Sequence, residues 1–116
     1  MSAMTAGALI PEELDTLLED AFVVCDVAAV PELFEAHALL AASGAASARG
    51  ASIVALVAGL WAHDVTYIPG PRRVLQANDT ALIVTERAIS VAHRNADARW
   101  RYTIALLDTQ PEGAMR

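Results

Sequence analysis

Two periodicities divide the chain. Up to Ala62 the apolar positions recur at helical spacing, and from Arg72 onward they alternate as in strands. Leu14, Leu17, Leu18, Ala21, Phe22 and Cys25 fall at i, i+3, i+4, i+7, i+8 and i+11, which predicts a helix over 12–25 with one apolar stripe. Pro11 takes its first turn, Glu12 and Glu13 complement its positive end, and Asp15, Glu19 and Asp20 form its polar face. Asp26 is a good N-cap for a shorter segment, in which Pro31 starts or kinks a helix and Val30, Leu33, Phe34 and His37 share a face. Leu39-Leu40 reads as a short strand and Ser43-Gly44 as a turn. A third helix is predicted over 51–62, with Ile53, Leu56, Val57, Leu60 and Trp61 on its apolar side. His63-Asp64 ends it, and Pro69-Gly70-Pro71 makes a rigid loop.

The second half predicts strands over 72–77, 81–93 and 99–107, antiparallel in succession. Asn78-Asp79 marks the first turn and Arg94-Asn95-Ala96-Asp97-Ala98 the second. Leu82 to Arg94 reads as one unbroken segment. Its alternation puts Glu86, Ala88, Ser90 and Ala92 on one face, and Arg87, Ile89, Val91 and His93 on the other. On the last strand Thr103, Ala105 and Leu107 share one face, and Tyr102, Ile104 and Leu106 the opposite one. Helices followed by antiparallel strands are an α+β order. Residues 1–10 read as a flexible tail, 11–109 as a single domain, and 110–116 as a frayed end.

Charge narrows the partners. Fourteen acidic residues against eight arginines and no lysine give a net charge of −6, which argues against nucleic acid. Residues 1–48 hold acids and no base, so an acidic helical layer faces an arginine-bearing sheet, within a subunit or between two. Cys25 is the only cysteine, which excludes an intramolecular disulfide; its place on the apolar stripe predicts a packed thiol. His37, His63 and His93 are too scattered to suggest a metal site, and no cofactor is expected. No apolar run approaches the roughly 20 residues needed to span a bilayer, and the N-terminus lacks the basic region of a signal peptide. The expectation is a cytoplasmic protein without a membrane partner.

Four stretches occur in a telling order: Asp26-Val27-Ala28-Ala29-Val30 followed by Leu33-Phe34; Arg49-Gly50 followed by Ile53; Asn78-Asp79-Thr80-Ala81-Leu82-Ile83-Val84; and Asp97-Ala98-Arg99-Trp100-Arg101-Tyr102. Together they resemble the nuclear-transport-factor-2-like (NTF2-like) superfamily, in particular its SnoaL-like and ketosteroid-isomerase-like branch. The resemblance implies a cystatin-like α+β cone, a curved antiparallel sheet covered by three N-terminal helices, with an apolar cavity for a small molecule. That family has two strands where Leu82 to Arg94 is one segment. A hairpin is therefore missing or fused, or the wall comes from a partner subunit.

The resemblance also says where chemistry should lie. The branch's carboxylate base falls on Ala41 or Ala42, its donor acid near Ser90 and its helix-one tyrosine near Leu18, so the isomerase route lacks its polar groups. Glu86 is then the candidate catalytic acid. Inside an apolar cone its pKa would rise and suit it to acid or base work; at a sheet edge it is a solvated neighbour of Arg87. Phe34, Val57 and Trp61 either line the cavity or pack the core, and Ser90 and Thr103 would hydrogen-bond a ligand. His63-Asp64 is an acid–base pair or an ordinary helix end. Two functions stay open. One is an isomerase, cyclase or hydratase acting on a polyketide- or steroid-like compound; the other is a non-catalytic ligand-binding or dimerisation domain. Ile89, Val91, Ile104 and Leu106, with no helix left to cover them, point to a homodimer through the sheet.

Overall fold

The computed structural model describes residues 7–43, 47–63, 65–67, 70–108 and 110–111. Its elements are α1 (Glu12–Val24), α2 (Val30–Leu33), β1 (Phe34–Ala42), β2 (Ala48–Arg49), α3 (Ser52–Ala62), β3 (Val65–Thr66), β4 (Arg72–Ala77), β5 (Thr80–Thr85), β6 (Ala88–Arg94), β7 (Trp100–Leu107) and β8 (Gln110–Pro111). Six strands form one sheet in the order β2-β1-β7-β6-β5-β4, and β3 pairs with β8 in a second, two-stranded one. Every pairing in the large sheet is antiparallel except β1 with β7, which is parallel. The helices cover one face, where Leu14, Leu18, Ile53 and Val57 pack with Ile83, Ala92, Tyr102 and Ala105. Among the described residues no helix is long and apolar enough to cross a membrane.

α1 and α3 lie where the helical spacing places them. α1 stops because Cys25 takes a left-handed conformation (φ 53°) that lets its N–H cap the Ala21 carbonyl. This overturns the packed thiol: Cys25 has left the stripe and is exposed. The second helix is shorter than expected. The backbone becomes extended at Phe34 (φ −125°, ψ 141°), so Phe34 and His37 belong to a nine-residue strand. β1 is alanine-rich and has little intrinsic strand preference. Its pairing on both sides, with β2 and β7, decides the matter.

The unbroken segment is two strands. β5 and β6 form a hairpin whose last pair is Val84 with Ile89, so no hairpin is missing. Neither Glu86 nor Arg87 in the turn has a positive φ; the Thr85 hydroxyl instead accepts the Arg87 N–H at 3.0 Å. The expected turns at Asn78-Asp79 and 94–98 are present, with Asn78 (φ 53°) and Ala98 (φ 66°) left-handed. β7 carries a bulge. Tyr102 faces Ala92 and Ile104 faces Val91, so Thr103 is the extra residue. Trp100, Tyr102, Ala105 and Leu107 are therefore all buried, and Thr103, expected to share a face with Ala105 and Leu107, does not.

The ends are tied in. Ala8, within the expected tail, is fully buried and its carbonyl accepts the Trp100 N–H at 2.9 Å. Gln110 and Pro111, expected to fray, pair with β3. Residues 1–6 and 112–116, and Gly44, Asp64 and Pro69 of the expected turns, lie outside the described residues. His63 caps its own helix through Nδ1, 2.9 Å from the Gly59 carbonyl. The outer sheet face exposes Leu75, Ile89, Ile104 and Leu106.

Candidate functional site

The polar groups of the interior come from α1, α3, β6, β7 and the residue after β3. On a helix turning 100° per residue, Asp15 lies about 20° from Phe22, so α1 carries it inward with Leu14 and Leu18 and not outward with Glu19 and Asp20 as its polarity suggested. It is fully buried. The bulge at Thr103 keeps Tyr102 on the inner face, where its hydroxyl donates to Asp15 Oδ1 from 87 residues away in sequence. Tyr67, also buried, brings a second hydroxyl close enough to Asp15 and Thr85 for hydrogen bonding to bear on its pKa, though neither contact has full hydrogen-bond geometry. Trp61 stands edge-on to Phe22 (5.5 Å, 88°), and Phe22 is 6.0 Å from Tyr67. Phe34 packs on Tyr102 at 5.1 Å.

Electrostatics set this cluster apart. Burial raises the Asp15 pKa above the ordinary value of 3.8, against the opposing pull of the Tyr102 hydrogen bond and the Arg72 charge. Burial together with the Asp15 charge pushes the Tyr67 and Tyr102 hydroxyls well above 10, so both remain proton donors. Asp15 Oδ2, Tyr67 OH, Trp61 Nε1 and Ser90 Oγ are buried without a partner among the described residues. Buried polar atoms are almost always paired, and two of these four, Asp15 Oδ2 and Tyr67 OH, belong to side chains that interact with each other. A phenol that stays protonated beside a buried carboxyl group can donate a hydrogen bond to a ligand oxygen.

The six residues singled out from the sequence do not converge. Phe34, Val57 and Ser90 are buried on the inner side and Trp61 is half-buried beside them. Glu86 sits in the β5–β6 turn, exposed, on an open surface depression of about 450 Å³ shared with Ile89, Leu106 and Asp108. The mid-strand, cavity-wall placement is thus corrected. Thr103 points to the outer face, where it donates to Glu35 Oε1 at 2.6 Å and lies 2.9 Å from His93 Nδ1. Asn95 donates to the other Glu35 oxygen at 2.9 Å. Burial alone would raise the Glu35 pKa, but the Thr103 and Asn95 hydrogen bonds and His93 outweigh it and hold the carboxyl below its ordinary value.

Sequence reasoning missed Asp15, Tyr67 and Tyr102. Only the wheel angle of Asp15 could have flagged one of them. Among the described residues no three His, Cys, Asp or Glu side chains come together as a metal ion would require.

No protein-family model matches the sequence, and no curated protein sequence is significantly similar to it. Solved structures are similar in fold. An NTF2-like protein with a cystatin-like fold from Novosphingobium aromaticivorans is 23% identical, matching 89% of this chain and 82% of its own at a TM-score of 0.65. A protein of unknown function with a cystatin-like fold from Nostoc punctiforme is 12% identical over 87% of this chain and 89% of its own, with a TM-score of 0.71. A ketosteroid isomerase-like protein from Erwinia carotovora is 15% identical over 84% of this chain and 92% of its own, with a TM-score of 0.63. The arrangement of helices over a curved, unclosed sheet and these likenesses agree: the chain has the cystatin-like α+β fold of the NTF2-like and ketosteroid isomerase-like proteins.

Proposed function

We propose that the domain binds a small, largely apolar molecule between α1, α3 and the inner sheet face, with a hydroxyl oxygen of that molecule held between Asp15 and Tyr67. The observation that carries this reading is the group of buried polar atoms without partners among the described residues, Asp15 Oδ2 and Tyr67 OH foremost. Leaving such atoms unpaired costs on the order of 1–3 kcal/mol each, which a ligand oxygen would recover. The surrounding side chains, Leu18, Phe22, Phe34 and Val57, are apolar and suit a hydrocarbon or aromatic body. Isomerase, cyclase or hydratase chemistry on a polyketide- or steroid-like compound would use the same cluster as the electrophilic side. Asp15 is then the group that moves a proton, in place of Glu86.

Binding is testable through the quenching of tryptophan fluorescence by 2-naphthol, with naphthalene as the matched hydrocarbon. The expected result is that 2-naphthol binds about tenfold or more tightly than naphthalene and that Tyr67→Phe removes the preference. Equal affinity for the two compounds in the wild type would sink the reading.

A second reading rests on a different observation, the exposed apolar face of Leu75, Ile89, Ile104 and Leu106. Such a face suits a two-fold homodimer. Sedimentation at micromolar concentration should then give a dimer that Ile104→Lys dissociates, and a wild-type monomer would count against it.

A further inference from the structure

Among the described residues three arginines form ion pairs and four, Arg49, Arg72, Arg73 and Arg99, form none. Arg87, Arg94 and Arg101 form ion pairs with Asp108, Asp79 and Asp97. Arg72 and Arg99 form none among the described residues, yet both line one open pocket of about 620 Å³ beside the first turns of α1. Arg72 reaches across it from the edge strand, and its Nη1 donates at 2.8 Å to the Glu12 carbonyl and to the Thr16 hydroxyl. Arg99 lies against Gly7, where even an added Cβ would meet its aliphatic stem only in ordinary contact at 3.5 Å. Its Nη1 is buried and has no acceptor among the described residues. A guanidinium N–H in that state is one of the strongest donors a protein offers.

The remaining lining says what kind of anion fits. Leu9 and Leu17 supply an apolar wall. Glu12 and Glu13 stand on the rim, and Glu13 is partly engaged by the Leu9 N–H at 2.8 Å. Two carboxylates would repel a dianion such as phosphate but tolerate a single negative charge placed between two guanidiniums.

We propose that this pocket is a binding site for a small organic carboxylate, its carboxyl group held by Arg99 and Arg72 and its hydrocarbon part lying along Leu9 and Leu17. The proposal does not rest on the interior cluster being a ligand site: its lining residues are separate from Asp15, Tyr67 and Tyr102, although the Arg72 charge also acts on Asp15. Calorimetric titration with octanoate, octanol and inorganic phosphate tests it. Octanoate should bind saturably at one site, about tenfold more tightly than octanol, with phosphate failing to compete. Arg99→Gln should weaken octanoate by about tenfold and leave octanol unchanged. Arg99→Lys keeps the charge and should retain part of the affinity, which separates a lost contact from a lost fold. Octanoate and octanol binding alike, no octanoate binding at millimolar concentration, full competition by phosphate, or an Arg99→Lys protein that folds with octanoate affinity no better than its octanol affinity would each overturn the proposal.

Discussion

Replacing Asp15 by asparagine keeps the shape of the side chain and the acceptor that the Tyr102 hydroxyl uses, while removing the charge. Burial raises the folded-state pKa of Asp15 above the ordinary 3.8, whereas in the unfolded chain the carboxyl ionises near about 3.9. Above that pH the unfolded state sheds its proton before the folded state does. The contribution of Asp15 to stability is therefore fully present below the ordinary aspartate pKa and is lost as pH rises through the raised value. The asparagine variant would have no such loss. We expect the two proteins to be similar at pH 4 and Asp15→Asn to gain on the wild type as pH rises, at most about 1.4 kcal/mol per pH unit, before levelling off. The plateau should be about 1–3 kcal/mol, the penalty for a buried charged oxygen without a partner. Asp97, held down to about 2 by Arg101 and the Arg99 N–H, and Glu35 lose stability towards acid in both proteins, so they cancel in the difference. Urea unfolding followed by circular dichroism from pH 4 to 8 measures it. Parallel stability profiles, or an asparagine variant that is the weaker protein at pH 8, would refute the argument.

Further outcomes follow from other residues. Gly50→Ala should cost about 2–4 kcal/mol, because Gly50 has φ +59° and an added Cβ would stand 2.8 Å from the Ala36 carbonyl oxygen; a urea midpoint unchanged from wild type would contradict it. Thr103→Val removes the 2.6 Å hydrogen bond to Glu35, so the Glu35 pKa should rise towards its ordinary value. The protein should lose about 1 kcal/mol at neutral pH, and the stability lost as pH falls through the lowered pKa should shrink. An NMR titration with an unmoved Glu35 carboxyl would disprove that coupling. Glu86→Gln should change neither stability beyond about 0.5 kcal/mol nor 2-naphthol affinity, since the side chain is in an exposed turn. A large loss of binding would return Glu86 to the site.

How much was legible depends on where local rules suffice. α1 and α3 are written in their spacing, and the turns at Asn78-Asp79 and 94–98 in their Asn and Asp residues, although in the second the left-handed position falls on Ala98. The order of short motifs was enough to suggest the fold. The β5–β6 turn escaped because Glu86 and Arg87 need no positive φ, so the chain reverses without the Gly or Asn that would announce it. The site escaped for two further reasons. Asp15 is polar on a face that is otherwise apolar, and polarity outweighed angle in assigning it. Tyr102 belongs to the inner face only because one inserted residue, Thr103, shifts the alternation of β7, and a bulge of that kind leaves no mark in composition. Cys25 follows the stripe in spacing but closes the helix in fact, a cap conformation usually given to glycine.

The parallel pairing of β1 with β7 has a kinetic consequence. β7 sits between β1 and β6, so within the sheet β1 joins the β4–β6 hairpins through a strand far away in sequence; Thr103 and Glu35, which meet across that seam, are 68 residues apart. Hairpins β4–β5 and β5–β6 close over a few residues and can form in microseconds. The β1–β7 seam must first close a long loop, and the entropy lost in doing so comes before any contact is gained. Folding should therefore run in two tempos, local hairpins early and the seam late. In that interval the edge of β7 that β1 will cover is open to any other strand, which makes the seam the place where crowded chains would pair wrongly.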